Sequence, residues 1–213
     1  MTKHIITIKQ EHTIENVINK SRFIAHIKPV QSEDEAKDFI NTIKAEHKDA
    51  THNCSAYTVG PEMNIQKAND DGEPTGTAGI PMLDILKKLD IHDACVVVTR
   101  YFGGIKLGGG GLIRAYSGAV RDVIYDSGRV ELREAIPCIV TLNYDQTGKF
   151  EYELASTSFL LRNQSYTDKV SYHIDVVKSD YEDFINFLNK ITAGNYDLIE
   201  EDPKLLPFDI PTT

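Results

Sequence analysis

Six glycines fall between Gly103 and Gly111, in the run Arg100-Tyr101-Phe102-Gly103-Gly104-Ile105-Lys106-Leu107-Gly108-Gly109-Gly110-Gly111-Leu112-Ile113-Arg114. Glycine loses more backbone freedom on folding than any other residue, so so dense a cluster answers a demand that other residues cannot meet. That demand is either positive φ or main chain brought close to a ligand or another segment with no side chain between. An apolar run precedes the cluster and an amphipathic run follows it, which gives the order strand, loop, helix start. Such a junction offers free backbone N–H groups to an anion. Arg100, Lys106 and Arg114 bracket it with positive charge. Together with Gly103, Gly104, Gly108, Gly109, Gly110 and Gly111 they form a candidate phosphate site. The competing reading is architectural, with the glycines only allowing the loop to pack against the turn at residues 70–77. Neither common nucleotide fingerprint is met. Leu112 stands where a Walker loop requires Lys, and Ile113 stands where the third glycine of Gly-x-Gly-x-x-Gly belongs.

A second unusual stretch is Asn69-Asp70-Asp71-Gly72-Glu73-Pro74-Thr75-Gly76-Thr77. Three acids within four positions repel one another unless they are solvated, hydrogen-bonded or shared with a cation. Asp70, Asp71 and Glu73 are therefore candidate oxygen ligands for a hard cation such as Mg²⁺. The alternative is a solvated turn shaped by Gly72 and Pro74, with Thr75 and Thr77 capping the helix that follows. No EF-hand or other ligand spacing rule is satisfied, and no cofactor is required by the sequence. His52-Asn53-Cys54 invites a Cys/His nucleophile, although a lone cysteine entering a strand is more often a small core residue. Tyr57, Tyr101, Phe102 and Tyr116 would stack on bases if exposed.

The elements that position these residues follow from periodicity. Residues 5–8 and 21–30 alternate as strands, and Phe23, Ala25 and Ile27 share one face of the second. Ser32 and Glu35 form a capping box for a helix reaching about His47, with Ala36, Phe39, Ile40 and Ile43 inward. Residues 54–59 read as a strand. A helix starts at Thr77 or Gly79, tolerates Pro81 in its first turn, and buries Met82, Ile85, Leu86 and Leu89. Residues 94–101 are too apolar for a one-faced strand and should be central. Residues 112–125 form a helix and 130–134 a further strand. From Ala135 the pattern is strand 138–142, helix 147–161, strands 165–167 and 170–177, helix 181–191 and strand 196–200. That β-α-β-β-α-β order is the ferredoxin-like split βαβ arrangement. Residues 203–213, with three prolines, read as an irregular tail.

The expected organisation is thus α+β in two domains, residues 1–134 and 135–213. Charge divides in the same way. Up to Glu134 there are 17 Lys and Arg against 19 Asp and Glu, and beyond it 6 against 13. A net charge of −9 argues against nucleic-acid binding by the whole surface, but a near-neutral half with a basic glycine loop is compatible with one localised anion site. Three widely spaced cysteines give neither a disulfide framework nor a metal motif. The first ten residues lack an apolar signal core, and no run approaches the roughly 20 apolar residues of a membrane helix. A cytoplasmic protein with no membrane partner is expected.

The acidic motif of residues 70–79, followed by the glycine motif of residues 98–116, closely resembles the signature of the IMPACT family, in its bacterial YigZ/YvyE-like branch. The segment His52-Asn53-Cys54-Ser55-Ala56-Tyr57 is similar to that family's entry strand. The resemblance covers nearly the whole chain. It implies an N-terminal α/β domain folded like domain two of ribosomal protein S five and domain four of elongation factor G. It also implies a ferredoxin-like C-terminal domain resembling the last domain of the same factor. Eukaryotic relatives carry an additional N-terminal interaction domain and regulate translation through a protein partner. The present sequence opens in the α/β domain, so that partner is not carried over. Some bacterial members are described as dipeptidases, yet no His-Glu-x-x-His ligand set is present here. The leading expectation is a non-catalytic cytoplasmic factor that binds RNA or the ribosome and affects translation. The alternatives are a Mg-dependent enzyme acting on a small phosphorylated or nucleotide ligand, and a protein-interaction module with no ligand site.

Overall fold

In the computed structural model, which describes residues 5–210, the first strands are β1 (Ile5–Ile8), β2 (His12–Ile18) and β3 (Ser21–Pro29). They are followed by α1 (Glu33–Glu46), β4 (His52–Val59), β5 (Ile65–Asn69), α2 (Gly79–Lys88), β6 (Ala94–Tyr101) and α3 (Gly108–Ser127). Then come β7 (Arg129–Leu142), α4 (Tyr144–Leu154), β8 (Leu160–Tyr166), β9 (Val170–Val177), α5 (Tyr181–Thr192), β10 (Asp197–Glu200) and β11 (Lys204–Asp209). The chain divides into two units. One comprises the residues up to Glu131 together with the segment from Pro207, and the other is Leu132–Leu206.

The first unit holds a five-stranded sheet in the order β2-β3-β6-β4-β5, with every neighbouring pair antiparallel. Parity along the central strand β6 sets its layers, because successive strand side chains face opposite sides. Ala94, Val96 and Val98 join Phe23, Ala25, Ile27, Cys54 and Ala56 beneath α2 and α3. Cys95 and Val97 join Tyr57, Val59 and the α1 residues Ala36, Phe39 and Ile43 on the other face. Both faces are therefore covered, as the unbroken apolar run predicts. Helix α1 starts as expected, since Ser32 Oγ accepts from Glu35 N–H at 3.2 Å. The return bond runs from Gln31 N–H to Glu35 Oε2 at 2.7 Å, one residue earlier than in the usual reciprocal box.

In the second unit the strands lie in the order β10-β7-β9-β8, all antiparallel. Helices α4 and α5 place Phe150, Leu154, Phe184, Leu188 and Ile191 on one face, against Cys138, Val140 and Leu142 of β7 and Val170, Tyr172, Ile174 and Val176 of β9. Element order and strand order together make this a split βαβ sandwich.

Several expectations change. Strands β2 and β5 were not anticipated. Residues 130–134 and 138–142, read as separate strands, are one continuous β7. Helix α4 ends at Leu154, so residues from Leu160 are free to form the full strand β8 beside β9. The expected irregular tail contains strand β11, and Ile210 N–H donates to Arg129 O at 3.1 Å. Of the terminal stretches read from sequence, residues 1–4 and 211–213 lie outside the described residues.

Candidate functional site

Arg100, expected at the candidate phosphate site, is buried in the core instead. It continues the parity of Ala94, Val96 and Val98, so its side chain turns into the core and the residue is only 5% exposed. Nη1 donates to Glu73 Oε1 at 2.6 Å, and the Tyr116 hydroxyl donates to the same oxygen at 2.8 Å. Nη2 donates to Ser21 Oγ at 3.4 Å, and the guanidinium carbon lies 5.4 and 5.5 Å from the ring centroids of Phe23 and Phe102. Burial of a charge is costly unless it is paired, and Glu73 supplies that pairing from the acidic loop. The signal was present in the sequence: an even step along a strand from Val96 and Val98 points inward.

The acidic residues are corrected in the same way. Asp70 Oδ2 accepts from Gly76 N–H at 2.8 Å, and Oδ1 accepts from Ala78 and Gly79 N–H at 3.1 and 2.8 Å. Asp70 thus occupies the N-terminus of α2 from nine residues upstream. Burial works to raise its pKa, but the three backbone N–H bonds outweigh that and hold it below the usual carboxylate range. Thr75 and Thr77 do not cap this helix. Its N-cap is Ala78, and the Thr77 hydroxyl donates to Pro74 O at 2.7 Å. Asp71 Oδ1 accepts from Lys44 Nζ at 2.6 Å and Oδ2 from Asn53 N–H at 2.7 Å. Its pKa is also lowered, with burial opposing and the Lys44 and Asn53 bonds prevailing. Asp70, Asp71 and Glu73 therefore serve three different sets of partners and do not converge. Among the described residues no group of three His, Cys, Asp or Glu is arranged to hold a metal ion.

The glycines separate into two kinds. A Cβ on Gly103 would sit 2.0 Å from the Lys20 carbonyl oxygen, so glycine there permits close packing onto the β2–β3 turn. Gly103 N–H also donates to Ser21 Oγ at 3.2 Å. Gly104 and Gly108 have φ of +86° and +69°, a region that other residues rarely occupy. A Cβ added to Gly111 would sit 3.0 Å from the Leu107 side chain. Gly109 and Gly110 differ from all of these. Their φ is ordinary, and an added Cβ would find nothing closer than Thr77 Cγ2 at 3.9 Å or Arg114 Nη1 at 3.5 Å.

Helix α3 starts at Gly108, four residues before the expected Leu112, so these glycines are its first turn. Its N-cap Leu107 offers no side-chain bond, and the first turn carries no acid. Gly108, Gly109 and Gly110 are exposed, in contrast to the α2 start that Asp70 fills. Lys106 and Arg114 are exposed as well, and neither makes a side-chain hydrogen bond or ion pair with another described residue. The structure therefore places Lys106, Arg114 and the exposed glycines along one short segment and withdraws Arg100 into the core.

Cys54 and His52 do face the same side, because β4 includes His52. They form no nucleophile pair. Cys54 is fully buried, burial pushes its thiol up to about 12, and Sγ donates to Asp70 O at 3.0 Å. His52 Nδ1 faces Asp71 O at 2.9 Å. Of the aromatics, Tyr57 and Tyr116 are core, Tyr101 is partly covered and bonds His47 Nδ1 at 2.9 Å, and Phe102 is 46% exposed. Sequence reasoning missed Lys20, Ser21 and Thr51, which hold the glycine loop through contacts some 50 to 80 residues away in the chain. Nothing local marks them.

No helix among the described residues is long and apolar enough to cross a membrane. Residues 19–124 match the Impact N-terminal domain family, and residues 140–195 match a domain of unknown function, DUF1949. IMPACT family member YvyE of Bacillus subtilis is 46% identical over 200 residues, covering 94% of this chain and 92% of that protein. IMPACT family member YigZ of Escherichia coli is 43% identical over 114 residues, covering 53% of this chain and 56% of its own length. A crystal structure described as a hypothetical protein aligns with 95% of this chain and all of its own, at 30% identity and a TM-score of 0.60. Matching halves in the same order, and near-half identity to YvyE along almost the entire length, establish that the chain belongs to the IMPACT family.

Proposed function

We propose that this chain is a non-catalytic factor that binds RNA, free or within the ribosome, through the start of α3, and that it affects translation. The observation that carries this reading is the helix N-terminus itself. Its first turn is exposed, uncapped and free of side chains, and it is flanked by Lys106 and Arg114 with no acid to neutralise them. Backbone N–H groups and the helix dipole favour a phosphate there, and exposed Phe102 offers a face for a base. The second domain is strongly acidic, so the footprint is small and confined to the first. Exposed Ile105 and Ile113 beside the same loop favour protein docking as a second reading.

Fluorescence anisotropy with labelled RNA at graded salt tests the proposal. Two cations neutralising two phosphates give a slope of log affinity against log salt of roughly −1.4 to −1.8. In Lys106→Ala with Arg114→Ala, affinity and slope should both collapse. Salt-independent binding, or binding unchanged in the double variant, overturns it.

A further inference from the structure

Helix α1 covers β4 and β6 but leaves the β2–β3 end of the same sheet face open, forming a groove of about 420 Å³. On the α1 wall, Glu35, Asp38, Thr42 and Glu46 follow helical spacing and so form one stripe. That stripe runs roughly 16 Å at the α-helical rise. Phe39 and Ile43, both buried, give the groove apolar surface between these carboxylates. On the opposite wall Glu11 pairs with Lys28 at 3.2 Å, and the Lys28 ammonium lies over the Phe39 ring at 5.7 Å.

His26 also lines this groove. It is 6% exposed, its ring lies 5.1 Å from that of His47, and its Nδ1 is 3.1 Å from Oγ1 of Thr13, another groove residue. Its Nε2 is buried with no hydrogen-bond partner among the described residues. A buried polar atom without a partner is costly, so it points to something that binds there. Burial, reinforced by His47, holds the His26 pKa down to about 4, so the ring is neutral at pH 7. In the tautomer that donates Nδ1–H to Thr13, Nε2 presents a bare lone pair. It then accepts an N–H.

We infer that this groove binds a linear polyamine, with ammonium groups on the α1 carboxylates and on His26 Nε2 and with methylenes over Phe39 and Ile43. Carboxylates spread along three helical turns cannot close around one small cation, and among the described residues none cluster for a metal. They do match positive charges separated by short hydrocarbon links. A groove of this size suits a small ligand.

Calorimetry of the full chain with spermine, putrescine and Mg²⁺ at physiological salt tests this. Spermine should bind with 1:1 stoichiometry and at least tenfold more tightly than Mg²⁺. Removing two exposed carboxylates with Asp38→Asn and Glu46→Gln should weaken spermine about tenfold without affecting the fold. The His26 ring resonances should move during the titration while those of His173, in the other unit, stay still. Lys106→Ala with Arg114→Ala should bind spermine as the parent does, which separates this groove from the α3 site. Multiple weak binding shared equally with Mg²⁺, or an unmoved His26, overturns the inference.

Discussion

At the residue scale, the acidic motif is an internal clasp. Glu73 brings one carboxylate to two buried donors, Arg100 and Tyr116, while side-chain exposure of the ion pair is only 3% and 6%. Removing Glu73 strands a buried guanidinium, whereas removing both charges strands only the neutral Tyr116 hydroxyl, which loses its acceptor. Glu73→Ala should therefore cost about 3 to 5 kcal/mol in urea unfolding, and Glu73→Leu combined with Arg100→Met should recover most of that loss. Equal losses in the single and double variants would show that packing, rather than charge pairing, explains the motif. Both roles were half legible in the sequence. The density of acids required compensation, but whether a cation or the protein's own amides supply it depends on partners such as Lys44 and Asn53, far along the chain.

At the element scale, legibility tracked burial. Strand β6 announced itself because both of its faces are covered, whereas β2 places His12 and Asn16 inward and Val17 65% exposed, which breaks the hydropathy alternation. Edge strand β5 is almost entirely exposed and offers no pattern. The first turn of α3 was hidden by composition, since glycine is among the poorest helix formers. That same property separates architecture from site. Gly103→Ala drives a Cβ into the Lys20 carbonyl and should destabilise severely. Gly109→Ala and Gly110→Ala meet only ordinary van der Waals contacts and should stabilise by up to about 1 kcal/mol each. If the exposed amides contact RNA, these two variants should unfold at higher temperature yet bind RNA several-fold more weakly. Stabilised variants with undiminished binding would locate the contact elsewhere.

At the scale of the whole molecule, the domain boundary was only approximately readable. The expected division at 134/135 falls inside the continuous strand β7, and the first unit is closed by residues from the far end of the chain. Pairing between β11 and β7 joins segments some 70 residues apart, and no local pattern encodes such a partnership. The return segment makes a specific contribution. Phe208 is 7% exposed, worth about 1.5 to 3 kcal/mol as a buried apolar side chain, and Ile210 N–H closes on the Arg129 carbonyl. The Lys9–Asp209 ion pair is exposed on both sides and adds little. A chain ending at Leu206 should therefore lose stability in the first unit. Hydrogen exchange should quicken around Lys9 and Arg129, while the β9 amides of Val170–Val177, held between β7 and β8, keep their protection. Uniform loss of protection across both units would mean that the segment supports the molecule as one cooperative body, and the division at Glu131 would not describe how it unfolds.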